Sequence, residues 1–167
     1  MYAEYYGNQL IELPYAGGKY SMYILLPSKN LDLNEVLSYL NDSSVKEVIG
    51  MMDVQQVSLK LPKFKLETEM SLVNTLQHMG VRSAFTSAAD LSGISRGPLA
   101  VSDILHKTVV DVDENGTEAA AVTAVMMALT SARPSQPKVM EVNRPFIYMI
   151  ADMETGRVLF SGRVMNL

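Results

Sequence analysis

The sequence predicts an α+β fold, in which strands and helices occupy separate stretches of the chain. Two strand-like segments at the start are followed by two helical segments, and the alternation of apolar and polar residues returns toward the end. This order is typical of α+β proteins, whereas a doubly wound parallel sheet requires strands and helices to alternate regularly. The 167 residues, 48% of them hydrophobic, are sufficient for a substantial core.

The composition argues against several classes of function. The chain has no cysteine, so disulfides, iron–sulfur clusters, cysteine nucleophiles and zinc–thiolate sites are excluded. Its 14 basic and 18 acidic residues give a net charge of −4, which argues against nucleic acid or an anionic membrane as a partner. The longest strongly apolar run, 22–26, is too short to span a bilayer. The first residues lack the profile of a signal peptide, so we expect none in this chain.

Residues 5–27 are predicted to form a strand pair. The stretch 5–13 is rich in Tyr, Leu and Ile and ends at Pro14, and a second apolar stretch covers 20–26. The two are joined through Ala16-Gly17-Gly18. A short glycine-rich connection between two strand-like runs is typical of a hairpin.

Residues 31–52 are predicted to contain two helices. Asp32 with Glu35, and Ser44 with Glu47, have the spacing of a capping box. In that motif the first side chain accepts the third backbone N–H, and the acid three residues later returns the bond. Each pair precedes apolar residues at intervals of three and four, which line one face of a helix.

Residues 57–67 are predicted to form an edge strand, because apolar and polar residues alternate and Pro62 then removes a ladder donor. A third helix is predicted over 69–79. Thr68 is its expected N-cap, and Gly80 follows in the left-handed position that ends many helices. This part of the chain should therefore continue the pattern of strand followed by helix.

The last third of the chain is predicted to be mainly strand. Residues 99–114 become β-branched toward their end, which predicts one long strand. The segment 115–137 follows and ends in a proline-containing stretch that no regular element tolerates. Alternation returns in 139–167 around a turn at 154–156, which predicts C-terminal strands.

Few residues suggest catalytic chemistry. Residues 93–97 match the G-x-S-x-G pattern of a hydrolase, but its serine must lie between a buried strand and a helix. Polar residues precede Ser95 and Pro98 follows, so a plain loop is the favoured interpretation. His78 and His106 are interpreted as structural, because neither has acidic or thiol partners at metal-ligand spacing. We expect no metal and no cofactor.

Two other features leave alternatives open. Asn41 and Asn115 each begin an N-glycosylation sequon, which matters only if the protein enters the secretory pathway. The segment 117–129 has few charges, many alanines and no turn residue. It fits an exposed coil, a helix or a buried strand, and its composition alone favours a buried helix. As a strand, its alternate residues would share one face, with Glu118 on the other.

Residues 112–124, Val-Asp-Glu-Asn-Gly-Thr-Glu-Ala-Ala-Ala-Val-Thr-Ala, closely resemble the reactive-loop hinge of the serpins, the serine protease inhibitor family. Further matches occur in the family's order along the whole chain: Leu61-Pro62-Lys63-Phe64, Phe85 with Ala89-Asp90-Leu91-Ser92-Gly93, Leu105-His106-Lys107, Asn143-Arg144-Pro145-Phe146 and Leu159-Phe160-Ser161-Gly162-Arg163-Val164. The resemblance implies that 1–167 is a partial serpin domain, its C-terminal portion. The implied fold has antiparallel and mixed sheets, a few helices and a long reactive loop.

The resemblance implies a suicide-substrate inhibitor of serine proteases, and not an enzyme. A target protease of the chymotrypsin-like fold attacks the loop and forms an acyl-enzyme, and the loop then inserts into the large sheet as a new strand. The hinge that the resemblance assigns consists of Glu114, Gly116, Thr117, Glu118, Ala119, Ala120, Ala121, Val122 and Thr123.

The scissile bond follows from the same resemblance. Counting 16 residues on from Glu114, as in inhibitory relatives, gives the bond between Thr130 and Ser131. Leu129 is an alternative that would suit a chymotrypsin-like or elastase-like target. Arg133 is a second alternative, which would suit a trypsin-like target. Pro134 follows it, and a proline directly after the scissile bond is unfavourable for cleavage.

Two structural residues carry over from the family. His106 matches a histidine whose ring bonds to polar groups of a neighbouring strand and an internal helix. Glu114 matches an acid at the hinge base that pairs with a lysine, matched here by Lys63. We expect the two side chains to lie within salt-bridge reach, with a contribution below about 1 kcal/mol if the pair is exposed.

The chain lacks counterparts of the family's N-terminal helices and of the strands on the far side of the insertion slot. We therefore expect that it does not inhibit on its own and needs the missing N-terminal part of the serpin. The full-length protein is expected to be extracellular, with an intracellular location left open. The alternatives are a non-inhibitory serpin that acts as carrier or regulator, and an inhibitor of cysteine proteases.

Overall fold

The computed structural model describes residues 1–39, 47, 49–113 and 136–166, with the backbone alone at residue 39. The chain divides into two compact units, one formed by Met1–Phe64 with Asp113–Leu167 and the other by Lys65–Val112. Strands dominate the described residues and the helices are short, which confirms the predicted α+β class.

The strands are, in chain order, β1 (Tyr2–Tyr5), β2 (Asn8–Pro14), β3 (Tyr20–Leu26), β4 (Val57–Lys60), β5 (Phe64–Ser71), β6 (Leu105–Val112), β7 (Lys138–Glu141), β8 (Phe146–Asp152) and β9 (Val158–Val164). In the described ranges, the α-helices with defined bounds are α1 (Leu33–Tyr39) and α2 (Val73–His78), residues 47, 49 and 50 are also helical, and Ser83–Phe85 is a 3₁₀ helix.

The first unit contains a five-stranded sheet in the order β1-β2-β3-β8-β9, in which every neighbouring pair is antiparallel. Where the sequence predicts a strand pair over 5–27, the structure has β2 and β3, and it adds β1 before them. The turn between β2 and β3 uses Gly17 at φ +85° and Gly18 at φ +67°. These backbone angles favour glycine, because a side chain is strained in the left-handed region.

The core of this unit lies around the two inner strands of the sheet. In β3, the consecutive residues 21–24 are all buried, and so are residues 146–148 of β8. Because successive side chains of a strand point to opposite faces, this run of burial means that both faces are covered. On one face Tyr23 packs in a cluster with Ala3, Leu10, Met52 and Ala151.

Helix α1 begins where the sequence predicts the first helix of 31–52. The Asp32 side chain accepts the backbone N–H of Asn34 at 2.7 Å, so it caps the helix at the second helical residue. The predicted capping box uses the third backbone N–H instead. Of the second predicted helix, residues 44–46 and 48 lie outside the described residues, and residues 47, 49 and 50 are helical.

Strands β4 and β7 form a separate two-stranded sheet, in which they run parallel. The edge strand predicted over 57–67 is wrong as a single element, because β4 ends at Lys60 and β5 begins at Phe64. Pro62 lies in the gap, where it has no backbone N–H to continue a ladder.

The second unit contains the ladder of β5 with β6, together with α2 and the 3₁₀ helix. The helix predicted over 69–79 begins too early, because residues 69–71 belong to β5. Its N-cap is Leu72, without a capping side chain, so the expectation for Thr68 is wrong. Gly80 has φ +98°, the left-handed angle that the sequence predicts after the helix.

The long strand predicted over 99–114 is shorter in the structure, because β6 begins at Leu105. The residues before β6 make backbone hydrogen bonds to partners outside the ladder of β5 with β6. Val101 N–H donates to the Ala84 carbonyl at 2.9 Å, and the Ile104 carbonyl accepts from the Leu72 N–H at 2.9 Å. These backbone groups are therefore satisfied by the neighbouring turns of the same unit.

Candidate functional site

The predicted site divides into a loop and the two strands that flank it. Residues 114–135 lie outside the described residues, as does Asn41. This range includes the whole predicted hinge from Glu114, the scissile-bond residues Thr130 and Ser131 with both alternatives, and the sequon at Asn115. The described parts of the site are β6, which precedes the loop, and β7, which follows it.

Strand β6 carries the N-terminal end of the loop. Its burial alternates toward that end, where Val110 and Val112 are buried. Its opposite side chains are open, and Val109 is 48% exposed. Lys107 lies 3.8 Å from Glu69 of β5, an exposed ion pair across the ladder. The strand is therefore anchored mainly by its backbone ladder and by two apolar side chains.

His106 lies on β6 and is exposed. Its Nε2 is 2.9 Å from the Thr108 hydroxyl, two residues along the same strand. Residues two apart in a strand share a face, so this contact follows from the local geometry. The family resemblance implies partners on a neighbouring strand and an internal helix, and the described residues place His106 against its own strand instead.

Lys63 lies in the segment between β4 and β5, and its side chain is exposed. Its predicted partner, Glu114, falls outside the described residues. The ion pair between Lys63 and Glu114 therefore stays a prediction.

Strand β7 carries the C-terminal end of the loop, and β4 holds it through backbone bonds. Lys138 N–H donates to the Gln56 carbonyl at 2.9 Å, and Val142 N–H donates to the Lys60 carbonyl at 2.8 Å. The Lys60 ammonium also donates to a Glu141 carboxylate oxygen at 2.5 Å. This hydrogen bond and the lysine's charge lower the pKa of Glu141 below its ordinary value.

The Asn143-Arg144-Pro145-Phe146 segment joins β7 to the five-stranded sheet. Arg144 donates to the Pro27 carbonyl from Nε at 2.8 Å and from Nη2 at 2.6 Å. Burial lowers the pKa of Arg144. Phe146 is fully buried and meets the Phe64 ring edge-on, with centroids 5.4 Å apart. The segment thus fixes the start of β8 by a forked hydrogen bond and an aromatic contact.

Sequence reasoning missed a polar group beside β7. Glu4 of β1 lies 3.7 Å from the Lys138 ammonium, Gln9 of β2 donates to the Val139 carbonyl, and the Tyr2 hydroxyl links Glu4 to Gln9. The only signal in the sequence is that Glu4 and Gln9 are polar residues near strand-like segments. Polar residues on strands are common, so this signal is weak. The grouping depends on the pairing of β1 with β2 and on the return of the chain 130 residues later.

The remaining candidate residues take local structural roles. Ser95 lies in a turn-rich stretch with no strand before it and no helix after it, and its hydroxyl accepts the Gly97 N–H at 3.1 Å. The His78 ring Nδ1 is 2.7 Å from the Asn74 carbonyl, within α2. Across the described ranges, no group of three or more His, Asp or Glu residues is arranged to hold a metal ion. None of the helices in these ranges has the length and apolar character needed to cross a membrane.

Comparison with known proteins gives a match along the entire chain. The family model described as Serpin (serine protease inhibitor) matches residues 1–167. Iripin-5 from Ixodes ricinus is 44% identical over 161 residues, which cover 95% of this chain and 40% of that protein. Intracellular coagulation inhibitor 2 from Tachypleus tridentatus is 41% identical over 160 residues, which cover 95% of this chain and 39% of that protein.

Solved structures agree with the sequence comparisons. The thermophilic serpin Tengpin in its native state superposes with a TM-score of 0.76 and 35% identity, covering 99% of this chain and 44% of that one. Native protease nexin-1 with heparin superposes with a TM-score of 0.78 and 32% identity, covering 96% and 42%. The chain therefore spans about two fifths of the length of the relatives that it matches.

Proposed function

The chain belongs to the serpin family, whose members are generally protease inhibitors, and from that premise we propose that the whole protein inhibits serine proteases as a suicide substrate. The protease cleaves the loop between β6 and β7 and becomes trapped as an acyl-enzyme. The proposal rests on the small residues of the hinge, Glu114 to Thr123, which begins two residues after the end of β6.

The hinge has the chemistry that strand insertion needs. Gly116 allows the backbone to reverse through angles that other residues avoid. Residues 119–121 are alanines, whose small side chains pass between parting strands with little steric cost. The residues 117–129 could extend over about 43 Å at about 3.3 Å per residue, enough for a full strand.

The described part of β6 is compatible with an added strand. In the ranges that the structure describes, β6 pairs with β5. If the chain reversed direction just after β6, it would run antiparallel to β6. It could then form a ladder along the edge of β6 that faces away from β5. On such a strand, Thr117, Ala119 and Ala121 would share one face, and Glu118 would lie on the other.

The target is proposed to be a chymotrypsin-like serine protease, and the scissile bond to be Thr130–Ser131. The test is to mix the full-length protein with trypsin, chymotrypsin and elastase and to look for a complex that survives SDS. We expect such a complex with at least one enzyme. N-terminal sequencing of the released C-terminal fragment should begin at Ser131, and cleavage only outside 129–133 would contradict the assignment.

A matched pair of hinge variants separates trapping from cleavage. Thr117→Arg places a long charge on the face that would be buried, so we expect cleavage to continue and the SDS-stable complex to be lost. Glu118→Arg places the same side chain on the opposite face, and we expect the complex to remain. Equal behaviour of the two variants would contradict insertion of the loop as a strand.

Other results would favour the alternatives. Cleavage of the unaltered protein without a trapped complex favours a non-inhibitory serpin that acts as a carrier or regulator. Inhibition of a papain-like enzyme, without any effect on the three serine proteases, favours a cysteine-protease inhibitor.

An extracellular site of action is a separate proposal, which rests on the family resemblance and on the sequons at Asn41 and Asn115. One of the relatives is named as an intracellular inhibitor. Expression of the full-length protein in secreting cells, followed by glycosidase treatment, tests the proposal. A mobility shift that disappears in the Asn41→Gln and Asn115→Gln double variant is the expected result, and retention of the protein inside the cell would contradict it.

A further inference from the structure

Strand β7 is short, yet it carries the C-terminal end of a long loop. Its four residues form a ladder with β4 along one edge. The N–H groups of Lys138 and Val142 point toward β4. Because successive backbone groups alternate in direction along a strand, the carbonyl of Val139 faces the other edge. A contact at this second edge would therefore stabilise β7 in addition to its ladder with β4.

The Gln9 side chain occupies that edge. Its Nε2 donates to the Val139 carbonyl at 3.0 Å and also to the Tyr2 hydroxyl oxygen at 2.9 Å. A side-chain amide nitrogen has two hydrogens, so both donors are used. The carbonyl at the outer edge of β7 is thus satisfied by a side chain from β2.

The bonds continue from Gln9 through Tyr2 to Glu4. The Tyr2 hydroxyl donates to a Glu4 carboxylate oxygen at 3.3 Å, and the same oxygen lies 3.7 Å from the Lys138 ammonium. The Tyr2 side chain is 1% exposed, and burial raises its pKa, so its hydroxyl stays protonated and able to donate. The chain of contacts therefore begins and ends on neighbouring residues of β7.

The group is held in a defined position. Tyr2 exchanges two backbone hydrogen bonds with Asp53, at 2.8 and 3.0 Å, and pairs with Ile11 of β2. A backbone fixed in this way leaves only the rotamer freedom of the side chain to be lost when a contact forms. The three side chains are therefore pre-positioned by the five-stranded sheet.

We propose that Tyr2, Glu4 and Gln9 form a polar clip that holds β7 in place and so positions the C-terminal arm of the reactive loop. Release of β7 would add four residues, or about 13 Å of extended chain, to the loop. A longer and less restrained loop would lose more conformational freedom when a protease binds it. Only this last step rests on the proposed inhibitory function, and the hold on β7 can be measured without any protease.

The first test is amide hydrogen exchange in the full-length protein. Gln9→Met removes both donors and keeps the length of the side chain. We expect the amides of Lys138 in β7 and of Val142 just after it, both bonded to the β4 side, to exchange about fivefold faster, the effect of losing one net hydrogen bond. Amides of β3 should be unchanged. Gln55→Met, the same substitution at an exposed position before β4, is the control and should match the wild type.

Tyr2→Phe provides a second variant, because it removes the hydroxyl and keeps the buried ring. It should also accelerate exchange in β7, by a smaller factor, since Gln9 keeps its bond to Val139. An unfolding curve for each variant shows whether the fold is intact. Unchanged β7 exchange in both folded variants would overturn the clip, and equal acceleration in β3 and β7 would show a general loss of stability and would also overturn it.

The second test measures the rate constant for association with a protease that the wild type traps. We expect Gln9→Met to lower this constant and Gln55→Met to leave it unchanged. If β7 exchanges faster but the association rate constant is unchanged, the proposal that the clip positions the reactive loop for the protease would be overturned. If the wild type traps no protease, the proposed inhibitory function fails by itself, and the exchange experiment still decides whether the clip holds β7.

Discussion

The five-stranded sheet and the two-stranded ladders of this chain are stabilised in different ways. The sheet buries both faces of its inner strands, so that Ile24 and Phe146 are fully excluded from solvent. The ladder of β5 with β6 leaves Val109 and Leu105 exposed, and the ion pair between Lys107 and Glu69 across it is open to solvent. A two-stranded ladder is marginal in water without further packing. The chain thus contains a packed core around the five-stranded sheet and, in the other unit, a ladder with exposed side chains.

The comparison bears on the proposed mechanism. A sheet that is buried on both faces resists the separation of its strands, whereas a ladder with exposed side chains has fewer contacts to break when another strand is added. The proposed reactive loop lies in sequence between β6 and β7, and each of these strands belongs to a two-stranded ladder in the described ranges. We infer that the five-stranded sheet and the β7 strand clipped to it act as the fixed part, and that the ladder of β5 with β6 is the part that the proposed insertion would change.

The largest expected effect comes from the core of the sheet. Phe146→Ala removes a ring that is 0% exposed and that contacts Phe64. We expect the free energy of unfolding to fall by about 3–5 kcal/mol, the usual cost of such a deletion. Phe160→Ala, in β9 of the same sheet, removes a ring that is 42% exposed. It should cost about 1 kcal/mol or less, and equal losses in urea unfolding would contradict the division between core and surface.

A smaller effect is expected from the close approach of β8 and β9. Gly162 lies opposite Tyr148, and a Cβ added there would lie 2.6 Å from the tyrosine ring. Gly162→Ala should therefore destabilise the protein by about 1–3 kcal/mol, because the ring must move within a packed sheet. Gly93→Ala is the control, since its added Cβ meets nothing within 4 Å. Combining Gly162→Ala with Tyr148→Leu should recover part of the loss.

The pH dependence of the buried sheet gives a third test. Burial raises the pKa of Tyr23 from 10.0 to about 12, with Glu12 adding to the shift. A raised pKa in the folded state gives stability that is fully present below pH 10 and is lost as the pH rises through about 12. We expect Tyr23→Phe to weaken the alkaline loss of stability over this window. Tyr20→Phe, which alters an exposed side chain of the same strand, should leave the alkaline unfolding curve unchanged.

The smallest effect is expected at the exposed ladder of β4 with β7. The Lys60 hydrogen bond and charge lower the pKa of Glu141. A lowered pKa gives stability that is present above the ordinary value of 4.5 and is lost as the pH falls through the folded value. In Lys60→Met, NMR titration should show the Glu141 pKa rising toward 4.5. Because the pair is exposed, the unfolding midpoint at neutral pH should barely change, and a large shift would contradict this view of the ladders.

How much the sequence predicts differs between these regions. The turn at Gly17 and Gly18 and the left-handed Gly80 were predictable, because local backbone sterics select glycine there. Residues 99–104 and 69–71 were misassigned, because apolar content and alternation do not reveal where backbone groups find partners. The side-chain and backbone bonds from Ser71 and Leu72 to Asp103 and Ile104 decide where the helix and β6 begin.

For the candidate site, the sequence by itself determined the family and predicted the hinge and the loop, because these depend on contiguous runs of residues. Only the tertiary structure decided that Gln9 reaches the Val139 carbonyl and that Arg144 donates to the Pro27 carbonyl. These contacts join residues more than 100 positions apart. They exist because the pairing of β3 with β8 brings the C-terminal strands back to the first hairpin, and no local propensity encodes that return.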